Sequence, residues 1–328
     1  MAYQNVGTPV FYVDYLLWRK SLGLYTVFSL VPPEGGTLPF DQTTLEKTLN
    51  LNPSNQITLY SPDDAAGGYV ELIAPPLKPS STSTSTRYFA ILGHNFNSSG
   101  HGVSLSGTAD ISFDNLVNGV AEYDGFSIIK NITGLIYEDG SQSAAPDGVY
   151  RIGLSATTNP LKVGCYSVGN YYQMPHSPDL SLTMTREYGG VKTIETKGGA
   201  SLSNDFGSSP QKWGNRAAWQ LGDQDFSVGG RRTWSLSFSY LSDSSVFPDN
   251  PTEIDGGGWE DLTTTPDFMS EVLKKTNGGQ LPFIFQPDKD NNDPFSGFAI
   301  AKLDMSSFKF DQVANGVYNV KLKIREVW

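Results

Sequence analysis

Arg232-Thr-Trp-Ser-Leu-Ser-Phe-Ser-Tyr240 alternates, residue by residue, between a bulky apolar side chain and a hydroxyl. A strand places successive side chains on opposite faces, so this run sorts cleanly as a strand and not as a helix. Trp234, Leu236, Phe238 and Tyr240 are expected to point one way, and Ser235, Ser237 and Ser239 the other. The same period returns in Leu180-Ser-Leu-Thr-Met-Thr-Arg186, in Val103-Ser-Leu-Ser, and in Tyr318-Asn-Val-Lys-Leu-Lys-Ile-Arg-Glu326.

Other apolar runs are short and bounded by turn residues. Val10-Phe-Tyr-Val-Asp-Tyr-Leu-Leu-Trp18 reads as a strand from its aromatic and β-branched first half, with a helix through Tyr15–Leu22 as the alternative for its end, and Gln56–Tyr60 and Tyr69–Ala74 read as strands. Arg87-Tyr-Phe-Ala-Ile-Leu-Gly-His-Asn95 is continuous, which suits a strand buried on both faces. Phe126–Ile129, Gly148–Leu154, Lys162–Val168, Pro282–Gln286 and Phe298–Leu303 complete the set. Gly189-Gly190 reads as a hairpin turn returning into Val191–Thr196. One helix is expected near 266–276, with Thr265 as cap, Pro266 at the first position, Asp267 at the positive end, and Phe268, Met269, Val272 and Leu273 as the apolar stripe. Asn277-Gly278-Gly279 ends it. Many short strands with one or two short helices predict an all-β chain of two β-sandwich or jelly-roll-like domains, over residues 1–175 and 176–328.

Charge narrows the function. The net charge is −11, and only 17% of residues are charged. An acidic chain lacks the basic footprint that nucleic acids and anionic membrane surfaces require. No apolar run approaches the roughly 20 residues of a membrane span, and Met1-Ala-Tyr-Gln-Asn carries no signal-peptide pattern. Cys165 is the single cysteine, so no intrachain disulfide can form, which suits a chain folded in a reducing cytoplasm. Its apolar surroundings predict a buried, inert thiol. Arg231-Arg232 reads as a solvated strand end or an ion-pair partner.

Residues that could carry chemistry fall short of a site. His94 and His101 flank one turn near Asp110 and Asp114, but nothing fixes a zinc geometry, and His94 reads as the bonded end of a buried strand. Asp63-Asp64 and Glu260-Asp261 could be nominated as a carboxylate pair, yet both lie in turn-rich stretches. Asp288-Lys-Asp-Asn-Asn-Asp293 resembles a calcium loop but places Asp293 at the sixth position and Ala299 at the twelfth, where an EF-hand needs Gly and Glu. Tyr171, Tyr172, Trp213 and Trp219 could stack on a sugar if exposed. No residue is therefore given a catalytic, cofactor-binding or metal-binding role, and no enzyme activity or cofactor is expected.

Two stretches carry a resemblance. Arg87–Asn95 with Val103-Ser-Leu-Ser, joined by Tyr150-Arg-Ile-Gly-Leu and Val163-Gly-Cys-Tyr-Ser-Val-Gly-Asn-Tyr-Tyr, resembles the discoidin-like (galactose-binding-like) sandwich found inside bacteriophage virion proteins. Residues 229–238, the helix at 266–276, Leu281–Asp288 and the closing strand through Arg325-Glu326 are similar in order to phage tail and virion structural proteins. The resemblance implies a non-catalytic component of a virion tail, baseplate or neck, assembled in the host cytoplasm. Its expected partners are further copies of itself and other virion proteins. The alternative it carries is a carbohydrate-binding or receptor-binding module that meets a host glycan.

Overall fold

The computed structural model describes residues 6–23, 27–31, 45–53, 56–60, 69–74, 87–94, 105–106, 125–130, 148–153, 161–187, 192–204, 231–248, 266–292 and 297–327. The chain is mostly β. Its first half holds β1 (Val10–Asp14), α1 (Tyr15–Ser21), β2 (Val27–Val31), β3 (Ile57–Tyr60), β4 (Tyr69–Ala74), β5 (Arg87–His94), β6 (Leu105–Ser106), β7 (Gly125–Lys130), β8 (Gly148–Gly153), β9 (Leu161–Val163) and β10 (Cys165–Gln173). The second half holds β11 (Thr183–Glu187), β12 (Lys192–Glu195), β13 (Ser201–Asn204), β14 (Arg231–Ser242), α2 (Asp243–Val246), α3 (Met269–Lys274, a π-helix), β15 (Phe283–Gln286), β16 (Ala299–Leu303), β17 (Phe310–Ala314) and β18 (Val317–Glu326).

A ten-stranded sheet runs β11-β14-β18-β16-β15-β1-β10-β5-β7, with β17 added on β18. Four further strands form the sheet β2-β4-β8-β6, and β3-β9 and β12-β13 are separate pairs. The boundary expected at residue 175 runs through the large sheet. β1 sits in its middle, paired with β15 through Phe11↔Phe285 and with β10 through Phe11↔Tyr172. Both edges of β1 are used and all five of its residues are buried, so its alternation feeds two cores at once. Phe11 and Val13 join Trp234, Leu236, Phe238, Phe268, Phe283 and Phe285. Val10 and Tyr12 join Tyr88, Ala90, Leu92, Cys165, Ile284 and Phe298. The apolar run of β5 is buried on both faces, as its lack of alternation requires.

Three local expectations are corrected. β11 and β12 are not hairpin partners: β11 pairs with β14, and β12 pairs with β13. Beside β14, Met184 packs against the core. The turn of that hairpin is made by Gly198-Gly199, where Gly199 takes φ +80° and donates to Thr196 O at 2.9 Å. Tyr240 does not follow Trp234, Leu236 and Phe238 inward. The register on β18 shifts between Phe238 and Leu241, so Leu241 takes the inward place and Tyr240 is left outside at φ +62°. The helix near 266–276 is present but is a π-helix over Met269–Lys274, and Asp267 Oδ1 accepts from Ser270 N at 2.8 Å at its start. Thr265 lies outside the described residues.

Candidate functional site

The polar groups that the sheet buries gather on either side of β1. On one face, Tyr12 donates from its hydroxyl to Gln286 Oε1 at 2.6 Å, and Lys130 Nζ donates to the same oxygen at 3.0 Å. Lys130 also lies over the rings of Tyr12 and Phe298, 5.2 and 5.8 Å from their centroids. The Gln286 amide nitrogen donates to Lys289 O, Asn291 O and Asn292 Oδ1 at 3.3, 3.0 and 3.3 Å, which fixes the amide plane. β7 and β15 are separated in strand order by β1, β10 and β5, so the sheet must curl for Lys130 to reach Gln286. Burial holds the Lys130 ammonium down at about 8 and pushes the Tyr12 phenol up.

Asp14 extends this face. It ends β1 and caps α1, its Oδ1 accepting from Leu16 N at 2.9 Å and Leu17 N at 3.1 Å. Its Oδ2 is buried with no hydrogen-bond partner of its own. Burial raises the carboxyl to about 7 against the opposing pull of the Leu17 amide. Tyr88 and Ser167 bond through their hydroxyls at 2.8 Å nearby. Burial, and then the charge of Asp14, pushes the Tyr88 phenol and the Cys165 thiol up, so Cys165 is a poor nucleophile.

On the other face, Tyr15 donates to Glu271 Oε2 at 3.0 Å and accepts from Asn170 Nδ2 at 3.2 Å. Lys275 bonds the Tyr15 hydroxyl and meets Glu271 Oε1 at 2.8 Å, with its Nζ 4.4 Å from the Tyr15 ring centroid. This ties α3 to the β1–α1 junction. It also dictates Gly169, where a Cβ would stand 1.9 Å from Val13 O and 3.2 Å from the Tyr15 ring. Each acid here has its cation or donor, so the cluster holds elements together and presents no group to a substrate. A third buried pair closes the sheet further along: Arg232 Nη2 meets Glu326 Oε1 at 2.9 Å and Phe298 O at 2.6 Å.

The residues singled out in the sequence are not brought together. Arg232 is the ion-pair partner and is not solvated. His94 is buried at the end of β5; His101, Asp110, Asp114, Asp63, Asp64, Glu260, Asp261, Trp213 and Trp219 lie outside the described residues. Tyr172 is buried and donates to Ser245 O at 2.7 Å, so its face is not open to a sugar, and Tyr171 is half-buried against Tyr12. In the acidic loop, Asp288 Oδ1 accepts from Asp290 N at 3.1 Å and Lys289 pairs with Asp290, while Asp293 is outside the described residues. Among the described residues, no cluster of three or more His, Cys, Asp or Glu could hold a metal ion, and no helix is long and apolar enough to cross a membrane.

Sequence reasoning missed Tyr12, Asp14, Lys130 and Gln286. Asp14 had a readable signal, since an aspartate between a strand and a helix is an N-cap. Lys130 and Gln286 are 156 residues apart and had none. No family model matches the chain, and neither the curated proteins nor the solved structures give a match.

Proposed function

We propose that this chain is a non-catalytic structural component of a bacteriophage virion, in the tail, baseplate or neck, assembled in the host cytoplasm and working as an oligomer in contact with other virion proteins. The observation that carries this reading is a group of apolar side chains standing in solvent around one end of the large sheet. Tyr240 is 78% exposed and Val313 is 47% exposed, and each is the extra residue of a bulge opposite β18. Leu180 is fully exposed beside Tyr240: the neighbouring Asp179 donates from its backbone to Ser237 O at 2.8 Å and accepts from Ser239 at 2.7 Å. Single exposed apolar residues are ordinary, but a gathering at a sheet end is a surface for burial against a second chain. β17 adds a strand edge, because among the described residues it pairs with β18 alone.

The test is the mass of the purified chain by light scattering or native mass spectrometry, with cryo-EM of the same sample and of purified particles. Defined oligomers, or copies located within a virion, support the reading. A monodisperse monomer that is also absent from particles overturns it.

A further inference from the structure

The Lys130–Gln286 contact differs from an ordinary surface hydrogen bond in three ways. First, the lysine has no carboxylate partner among the described residues. Its neighbours are an amide oxygen and the faces of Tyr12 and Phe298. Second, the amide oxygen accepts a 2.6 Å hydrogen bond from the Tyr12 hydroxyl in addition to the lysine. Third, Gln286 is fully buried and its amide nitrogen is held by three acceptors, so the carbonyl cannot turn away.

We propose that Lys130 Nζ condenses with the side-chain amide of Gln286, forming an intrachain isopeptide cross-link between β7 and β15. The proposal stands apart from the virion reading and does not depend on it. The amine is 3.0 Å from the carbonyl oxygen. A carbonyl bond is about 1.2 Å long, so the carbon lies within about 4 Å of the amine, and attack needs the lysine side chain to swing from the lone pair of the oxygen to the carbonyl face. Burial supplies the neutral amine: with its ammonium held down at about 8, about a tenth of Lys130 is unprotonated at pH 7. The Tyr12 hydroxyl points at the oxygen on which negative charge would grow, and it keeps its proton because burial pushes its phenol up.

The step balances without an oxidant or a second reactant. The Nζ lone pair forms a bond to Gln286 Cδ, and the carbonyl π pair moves onto Oε1 against the Tyr12 hydroxyl. As the carbonyl re-forms, the Cδ–Nε2 bond breaks. One proton passes from Nζ to Nε2, which leaves as ammonia. A primary amide and an amine become a secondary amide and ammonia. The bond would join residues 156 apart in the chain and so restrict the unfolded state as a long-loop disulfide does.

The test is the intact mass of the full chain, fresh and after incubation at about pH 8, where half of Lys130 is neutral. The expected result is a shortfall of about 17 Da, one ammonia per chain, with tryptic peptides containing Lys130 and Gln286 recovered as one species. Lys130→Arg, which keeps charge and reach, should return the sequence mass. Tyr12→Phe should slow the loss with the circular dichroism unchanged. A mass equal to the sequence after prolonged incubation overturns the proposal, as does a shortfall that persists in Lys130→Arg.

Discussion

Asp14 places a carboxylate inside the sheet where water cannot reach it. Its two jobs conflict: capping α1 favours the charged form, and burial favours the neutral one, with burial the larger influence. The folded value of about 7 lies above the unfolded 3.8, so between those limits the folded chain holds more protons than the unfolded one. The contribution of this group is therefore fully present below about 3.8 and is lost as pH rises towards 7. Each unit of separation is worth about 1.4 kcal/mol, so the window amounts to about 4 kcal/mol. Asp14→Asn keeps an oxygen to cap the helix and cannot ionise. The expected outcome is that urea-unfolding free energies of Asp14→Asn and the natural chain diverge by about 4 kcal/mol between pH 4 and pH 8 in favour of the variant. Parallel pH profiles would show that the carboxyl is not held neutral.

At the scale of elements, the sheet depends on charges that satisfy one another. Arg232 and Glu326 join the ends of β14 and β18, both side chains buried, and Arg232 also donates to Phe298 O. Arg232→Met should cost about 3–5 kcal/mol, because it strands a buried carboxylate. Arg232→Met with Glu326→Leu should recover much of that loss, a non-additivity that chemical denaturation of the two variants would read directly. Tyr240 offers the opposite case, a bulky residue at φ +62° with little burial to lose. Tyr240→Gly should relieve about 1 kcal/mol of left-handed strain; a lower denaturation midpoint would mean that the ring is covered. These elements also mark how far the sequence can be read. Alternation made the strands at 232–240 and 318–326 legible, and an unbroken apolar run did the same for 87–94, since both signals are local. Pairing is not local: two glycine pairs lie within a dozen residues of each other, and nothing in their neighbouring residues says that β11 joins β14 while Gly198-Gly199 turns β12 into β13. The bulge at Tyr240 is equally invisible, because it depends on the register of β18. The buried polar clusters assemble from residues as far apart as Tyr12 and Gln286, separated by 274 in sequence, which no spacing rule links.

For the whole molecule, the proposed assembly has a strand edge that is self-complementary. Strands related by a two-fold axis pair antiparallel, so residues equidistant from the axis face each other. With the axis at Phe310, Lys309 of one copy stands opposite Asp311 of the other, and the reverse holds at the same time. Both side chains are available, 81% and 49% exposed, and within one chain they already pair at 2.7 Å. Exchange of that bond between copies keeps the charges matched while the start of β17, whose outer edge is unpaired among the described residues, gains backbone hydrogen bonds. Val313, three residues past the axis, would be covered in the same contact. Lys309→Glu should place two acids across the seam and weaken association by about tenfold, the scale of one repulsive exposed pair repeated twice. Asp311→Lys should do the same with two cations. The double variant Lys309→Glu with Asp311→Lys restores opposite charges and should restore the oligomer mass measured by analytical ultracentrifugation. An oligomer indifferent to the single changes would place its interface elsewhere and leave the structural reading standing. Single changes that weaken association without rescue by the double would mean the two residues act on the surface separately and do not face one another.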